Sequence, residues 1–164
     1  AEPHVRELAG TIQNVASGVK GKEDTKKQKE EAADKGTSST VKEYDIVIYK
    51  PSNKEFGLEN HHGVMDVWAK NNIPGYKSYD KNSIAIALTG ENHNATRSEF
   101  IKWRIEKTGS PAGKIDWANV SPREIQELTE RLFDVAKVPE SARREYYKEF
   151  HKYIYQLEEE CSVK

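Results

Sequence analysis

From Lys20 to Thr40 the chain contains no apolar residue larger than alanine; Lys, Glu, Asp, Gly, Ser and Thr dominate. A segment of that composition has nothing to bury and reads as a solvated helix or a flexible linker. Any hydrophobic core must come from the residues after it. The sequence therefore divides into a charged helical or flexible linker, residues 1–40, and a folding unit, residues 41–164. Ahead of the charged stretch, Val5, Leu8, Ile12 and Val15 keep only a weak helical spacing. The remaining length suits one domain of ordinary size.

The folding unit opens with a β-branched and aromatic run, Tyr44 to Tyr49, then the turn chemistry Pro51-Ser52-Asn53-Lys54. This predicts a hairpin whose second strand, Glu55 to His61, runs back beside the first. Gly63 breaks that strand, and Val64, Val67 and Trp68 have helical spacing up to Asn71-Asn72. After the loop Ile73-Pro74-Gly75-Tyr76, the run Ser83 to Leu88 reads as a short strand closed by Thr89-Gly90. Glu91 to Glu106 reads as a helix with Phe100 and Trp103 on its buried side. Ser121-Pro122-Arg123-Glu124 forms a capping box, with serine as N-cap, proline at the first helical position and glutamate at the third. Ile125, Leu128, Leu132 and Phe133 follow on one face. Val138-Pro139 interrupts, and a last helix carries Tyr146, Tyr147, Phe150, Tyr153, Ile154 and Leu157. The expected fold class is α+β, a small antiparallel sheet with a C-terminal helical pair packed behind it.

Charge and cysteine content narrow the chemistry. The formal net charge is −1, against the basic excess usual for a protein that coats nucleic acid. An enzyme with a local cationic site is not excluded, because a bound metal ion can be the largest charge present. Cys161 is the single cysteine, so an intrachain disulfide and a Cys-based zinc site are both ruled out. No run approaches the roughly 20 apolar residues of a membrane span. The first residues of the sequence lack the apolar centre of a signal peptide.

Five histidines are present, and two of them adjoin in Asn60-His61-His62-Gly63. Neighbours on a strand point to opposite faces, so the pair cannot clamp one ion as two histidines a helical turn apart would. At a strand end the two rings can take different tasks, one ligating a metal and the other facing substrate. His93 follows the next strand directly, in the first turn of the next helix, within Leu88-Thr89-Gly90-Glu91-Asn92-His93. A hairpin ending in two histidines, then a strand, then a helix carrying a third is the layout of a ββα-metal site. Its chemistry is phosphodiester hydrolysis: one imidazole acts as general base on water, near its ordinary pKa of about 6.5. A single divalent ion offsets the charge that builds on phosphate.

From about Phe56 to Trp103 the chain resembles the HNH/endonuclease VII superfamily, in particular the toxin domains of bacterial polymorphic toxin systems. The residues that carry the likeness are Glu59-Asn60-His61-His62, the aromatic-bearing helix after them, Ile73-Pro74-Gly75-Tyr76, Ile86-Ala87-Leu88-Thr89 leading to His93, and Thr96-Arg97. The likeness continues through Ile115-Asp116-Trp117 into the C-terminal helices, covering most of residues 44–157. The resemblance implies His61 as metal ligand, His62 as general base and His93 as second ligand. Where many relatives carry another ligand, one turn further along the helix, this chain has Arg97. Arginine binds no metal but can hold a phosphate bidentately. The third ligand is then open among Glu59, which shares a strand face with His61, and Glu91 or Asn92.

The resemblance further implies a nuclease toxin that uses one divalent ion (Zn, Mg, Mn or Ni). DNA is favoured over RNA as substrate by analogy alone. It also implies delivery as part of a larger secreted protein, action in the target-cell cytoplasm, and an immunity protein that shields the producer, for which acidity would suit a nuclease groove. Two other readings fit the same residues. One is a non-enzymatic interaction module built on the last two helices, with structural histidines or a structural metal. The other is a metal-dependent hydrolase of a different phosphoester. His151 and His4 are expected to play no part. The clustered tyrosines of the last helix and Trp68, Trp103 and Trp117 are expected to be mostly core, and the Lys22–Lys35 run a solvated face.

Overall fold

The computed structural model describes residues 40–163, so the weak helix and charged linker expected for residues 1–39 lie outside the described residues. Three strands, β1 (Ile46–Ile48), β2 (Leu58–His61) and β3 (Ile84–Thr89), alternate with four helices, α1 (Asp66–Asn72), α2 (Gly90–Thr108), α3 (Pro122–Val135) and α4 (Glu140–Ser162). Single 3₁₀ turns lie at Lys54–Phe56 and Trp117–Asn119.

The sheet is antiparallel with order β1-β3-β2. This corrects the expected hairpin: β1 and the strand bearing the histidine pair do not touch as neighbours. Both pair with β3, with Ile46 opposite Ile86 on one side and His61 opposite Ile86 on the other. The physical reason lies in β3, where Ala85, Ile86, Ala87 and Leu88 are all fully buried. A strand apolar on both faces gains most at the centre of a sheet, whereas the short, partly exposed β1 tolerates an edge. The ββα unit is therefore β2-β3-α2, with residues 62–83 and α1 inserted between its strands.

Local signals fix the helices. Ser121 Oγ accepts from Glu124 N at 3.1 Å while Ser121 N donates to Glu124 Oε2 at 2.9 Å, the reciprocal capping box expected at the head of α3. Thr89 caps α2 by accepting from Asn92 N at 3.2 Å, so strand passes into helix with no loop between. Gly109, at φ +78°, ends α2 in the left-handed conformation.

The core lies between the sheet and the C-terminal helices, where Trp68, Ile86, Leu88, Ile125, Leu128, Leu132, Phe133, Tyr146, Tyr147 and Phe150 are sealed from water. Each such side chain stabilises the fold by about 1.5–3 kcal/mol through burial. The expectation that the tyrosines of the last helix are mostly core is met by Tyr146, Tyr147 and Tyr153, while Tyr155 is half exposed. Trp68 is core, with Nε1 donating to the Val120 carbonyl at 2.8 Å. Phe100, Trp103 and Trp117 are only partly buried and stack on one another beside α2. Among the described residues no helix is long and apolar enough to cross a membrane.

Candidate active site

Glu59 and His61 stand two positions apart on β2 and so share one face of the sheet. Because α2 starts directly after β3, its first turn returns over that face and brings His93 down onto β2. His93 Nδ1 is in hydrogen-bonding contact with Glu59 Oε2. The His61 and His93 rings meet edge to face with centroids 5.5 Å apart. One turn further, Arg97 is exposed and carries no hydrogen bond or ion pair among the described residues, yet its charge acts on His61. Four of the five residues singled out in the sequence thus gather at one junction.

His61 is buried, and its Nε2 has no hydrogen-bond partner. Burial, reinforced by His93, His62 and Arg97, pushes its pKa down to about 3. The ring is therefore neutral at any physiological pH, the form in which imidazole binds metals. A buried polar atom left unpaired ordinarily costs about 1–3 kcal/mol, and a metal–nitrogen bond would remove that cost. Among the described residues, no group of three or more His, Cys, Asp or Glu side chains is arranged to hold an ion as it stands. Glu59 and His93 contact each other, but Glu59 Oε1 has no partner among the described residues. Two imidazoles and a carboxylate oxygen suit a divalent cation.

The remaining residue, His62, follows the last residue of β2 and packs on other partners, though its charge acts on His61. Its ring stacks on Tyr49 with centroids 4.3 Å apart and planes 27° from parallel. Nε2 is 2.9 Å from Ser83 Oγ and 3.9 Å from Asp66 Oδ1. Burial lowers the His62 pKa, while the Asp66 carboxylate acts in the opposite sense. Asp66 is itself held by Tyr76 Oη at 3.1 Å, Ser78 Oγ at 2.6 Å and Tyr79 N at 3.0 Å. Tyr79, in the left-handed region at φ 56°, leaves its ring largely exposed near Tyr49 and His62.

The backbone after the pair is fixed from the far end of the chain. Val64 N donates to Tyr146 Oη at 2.7 Å. A Cβ at Gly63 would come within 2.6 Å of Tyr146 Cζ and 2.7 Å of Phe133 Cζ. Only glycine lets the strand turn this close to the aromatic wall.

Sequence reasoning missed Asp66, Ser83 and Tyr146. Asp66 offered a faint signal, four residues after His62 at the head of a helix. Ser83 and Tyr146 offered none, because their partners are remote in sequence. Asn92, weighed as a ligand, donates from Nδ2 to Glu43 Oε2 at 3.3 Å and to Tyr44 Oη at 3.2 Å. Glu91 is exposed. His151 packs against Tyr155 with centroids 4.6 Å apart, and His4 lies outside the described residues.

Two antiparallel strands running straight into a helix, with histidines at the end of the first strand and in the first helical turn, define a ββα nuclease-type domain. A family model for HNH/Endo VII superfamily toxins with an SHH signature matches residues 55–155, and the chain belongs to that family. The matched span begins in the turn before β2 and ends in α4, so it takes in the whole ββα unit and both C-terminal helices. In this chain the adjacent histidines are preceded by Asn60. Membership implies nuclease toxin activity on a nucleic acid, in a superfamily whose nucleases usually use a divalent metal. No solved structure matches the chain.

Proposed function

We propose that this domain is a metal-dependent endonuclease toxin that hydrolyses phosphodiester bonds, with DNA as the favoured polymer. The observation that carries the reading is the buried, neutral His61, whose unpartnered Nε2 sits beside the His93–Glu59 pair at the strand–helix junction. His61 and His93 are the protein ligands for one divalent ion, with Glu59 the third donor through its free oxygen. When bound, the ion stabilises negative charge on the scissile phosphate and on the leaving oxygen.

The side chains supply the rest. His62 takes a proton from water as the water oxygen bonds to phosphorus and the ester bond to the leaving oxygen breaks; the leaving oxygen takes a proton from solvent. Arg97, exposed and unpaired, holds the phosphate through its guanidinium fork. Superfamily analogy supports DNA as the polymer. It likewise supports delivery on a larger secreted protein, action in the target-cell cytoplasm, and a cognate immunity protein. Residues 1–40 would then be the joining segment.

The test is plasmid nicking by the purified chain with Mg²⁺, Mn²⁺, Ni²⁺ or Zn²⁺ in turn, beside an EDTA control, His62→Ala, and total RNA as a second substrate. Metal-dependent cutting of plasmid, lost in His62→Ala, is expected. Plasmid and RNA both intact under every metal would sink the nuclease reading and favour an interaction module built on α3 and α4.

A further inference from the structure

We propose that Ser83 is the positioning residue of the general base: it fixes His62 as the Nε2–H tautomer and leaves Nδ1 as the nitrogen that accepts the proton. The catalytic half of this rests on His62 being the base of the proposed nuclease. A serine hydroxyl has one proton and can donate once. Ser83 Oγ lies 2.6 Å from the Asp80 carbonyl oxygen. A carbonyl only accepts, so the proton is spent there. At His62 Nε2, 2.9 Å away, the hydroxyl must therefore accept, and Nε2 must carry a hydrogen. A neutral imidazole has one N–H, so Nδ1 is bare. Nδ1 has no hydrogen bond among the described residues.

The relay is fixed at both ends. Ser83 is fully buried, and its own N–H also donates to the Asp80 carbonyl, at 3.0 Å. The Asp80 side chain accepts from Asn82 N at 2.9 Å and from Tyr153 Oη of α4 at 3.2 Å. The Tyr49 ring covers one face of the imidazole, so the hydrogen bond sets the tautomer while the stack sets the plane. Asp66 Oδ1, 3.9 Å from Nε2, favours a hydrogen on that same nitrogen. The accepting geometry depends on the Ser83 hydroxyl itself. Alanine would leave Nε2 without its acceptor and release the tautomer.

The experiment reads the ring directly. Long-range ¹H–¹⁵N correlation spectra of the full ¹⁵N-labelled chain, with His62 assigned by its absence from His62→Ala, should show a protonated Nε2 and a bare Nδ1. In Ser83→Ala that signature should shift toward a mixture. Its kcat on plasmid or RNA, whichever the wild type cuts, should fall about 10–100-fold with KM nearly unchanged. A protonated Nδ1 in the wild type overturns the proposal whether or not any variant folds. So does a Ser83→Ala protein with unaltered ring signals and unaltered kcat. Wild-type cutting by His62→Ala would instead overturn the base assignment, an outcome separate from the tautomer seen in the wild-type spectrum.

Discussion

The helical scaffold and the strand–helix junction treat polar groups in opposite ways. On the scaffold most charged groups are paired, although Arg104 Nε and His151 Nδ1 are buried without a hydrogen-bond partner. Arg131 reaches Glu99 at 2.7 Å and Glu106 at 2.7 and 2.8 Å, which holds both carboxyls below their ordinary range. Arg143 reaches Glu130 at 2.7 Å and Asp134 at 2.8 Å, and Tyr147 bonds the other oxygen of Glu130. At the junction, His61 Nε2, Glu59 Oε1 and the Arg97 guanidinium have no partner among the described residues. Paired groups hold helices together; groups left open hold nothing in the fold and keep their bonding capacity for a ligand. What marks the junction is that three such groups gather there, whereas Arg104 Nε and His151 Nδ1 stand singly.

The largest expected effect on activity lies beside the junction. His62→Ala should lower kcat by about 10²–10⁴ and also lower the melting temperature, because the ring stacks on Tyr49 and bonds Ser83; a plasmid-nicking time course beside a thermal melt checks both. Next comes the seam between the regions. Gly63→Ala forces a methyl group against Tyr146 and Phe133 and should cost about 1–3 kcal/mol in urea unfolding, with cutting impaired as well. An unchanged midpoint would mean that the turn is not clamped.

Arg143→Ala sharpens the paired side. It should cost about 1–2 kcal/mol of stability, since the guanidinium is mostly buried although Asp134 is exposed, and leave kcat per folded molecule unchanged. The buried His61 adds a pH signature. Its folded pKa, about 3, lies below the unfolded value, so only the unfolded chain takes up this proton between pH 6.5 and 3. Stability in EDTA should therefore fall with pH through that window by about 1.4 kcal/mol per unit at most from this group. Replacing His61 with Gln should flatten the slope. The smallest effect belongs to Arg97→Ala: stability within about 0.5 kcal/mol of wild type, with kcat/KM down about tenfold, about 1.4 kcal/mol.

What was legible in the sequence was local. The capping box at Ser121 and Glu124, the break at Gly63, and His93 just after a Thr-Gly boundary are each written within a few residues, and each stands where expected. The pairing of β1 was not legible, because turn chemistry at Pro51–Lys54 says only that the chain bends, not which strand it bends toward. That choice fell to the burial of β3. Phe100 and Trp103 were read as the buried side of α2 but are half covered, because α3 meets that helix through Arg131 and its carboxylates as well as through apolar contact. For the candidate site, which positions gather at the junction was legible and their hydrogen-bond partners were not. Glu59, His61 and His93 could be placed from periodicity, whereas the Ser83 contact spans 21 residues and the Tyr146 contact 82.

That last separation has a consequence in time. A ribosome makes the histidine pair first and the tyrosine 82 residues later. Until Tyr146 emerges and its helix docks, the turn through Gly63 has neither its hydrogen bond nor its aromatic wall. A half-made or prematurely terminated copy therefore carries all three histidines of the junction and yet lacks the contacts that hold the turn beside them.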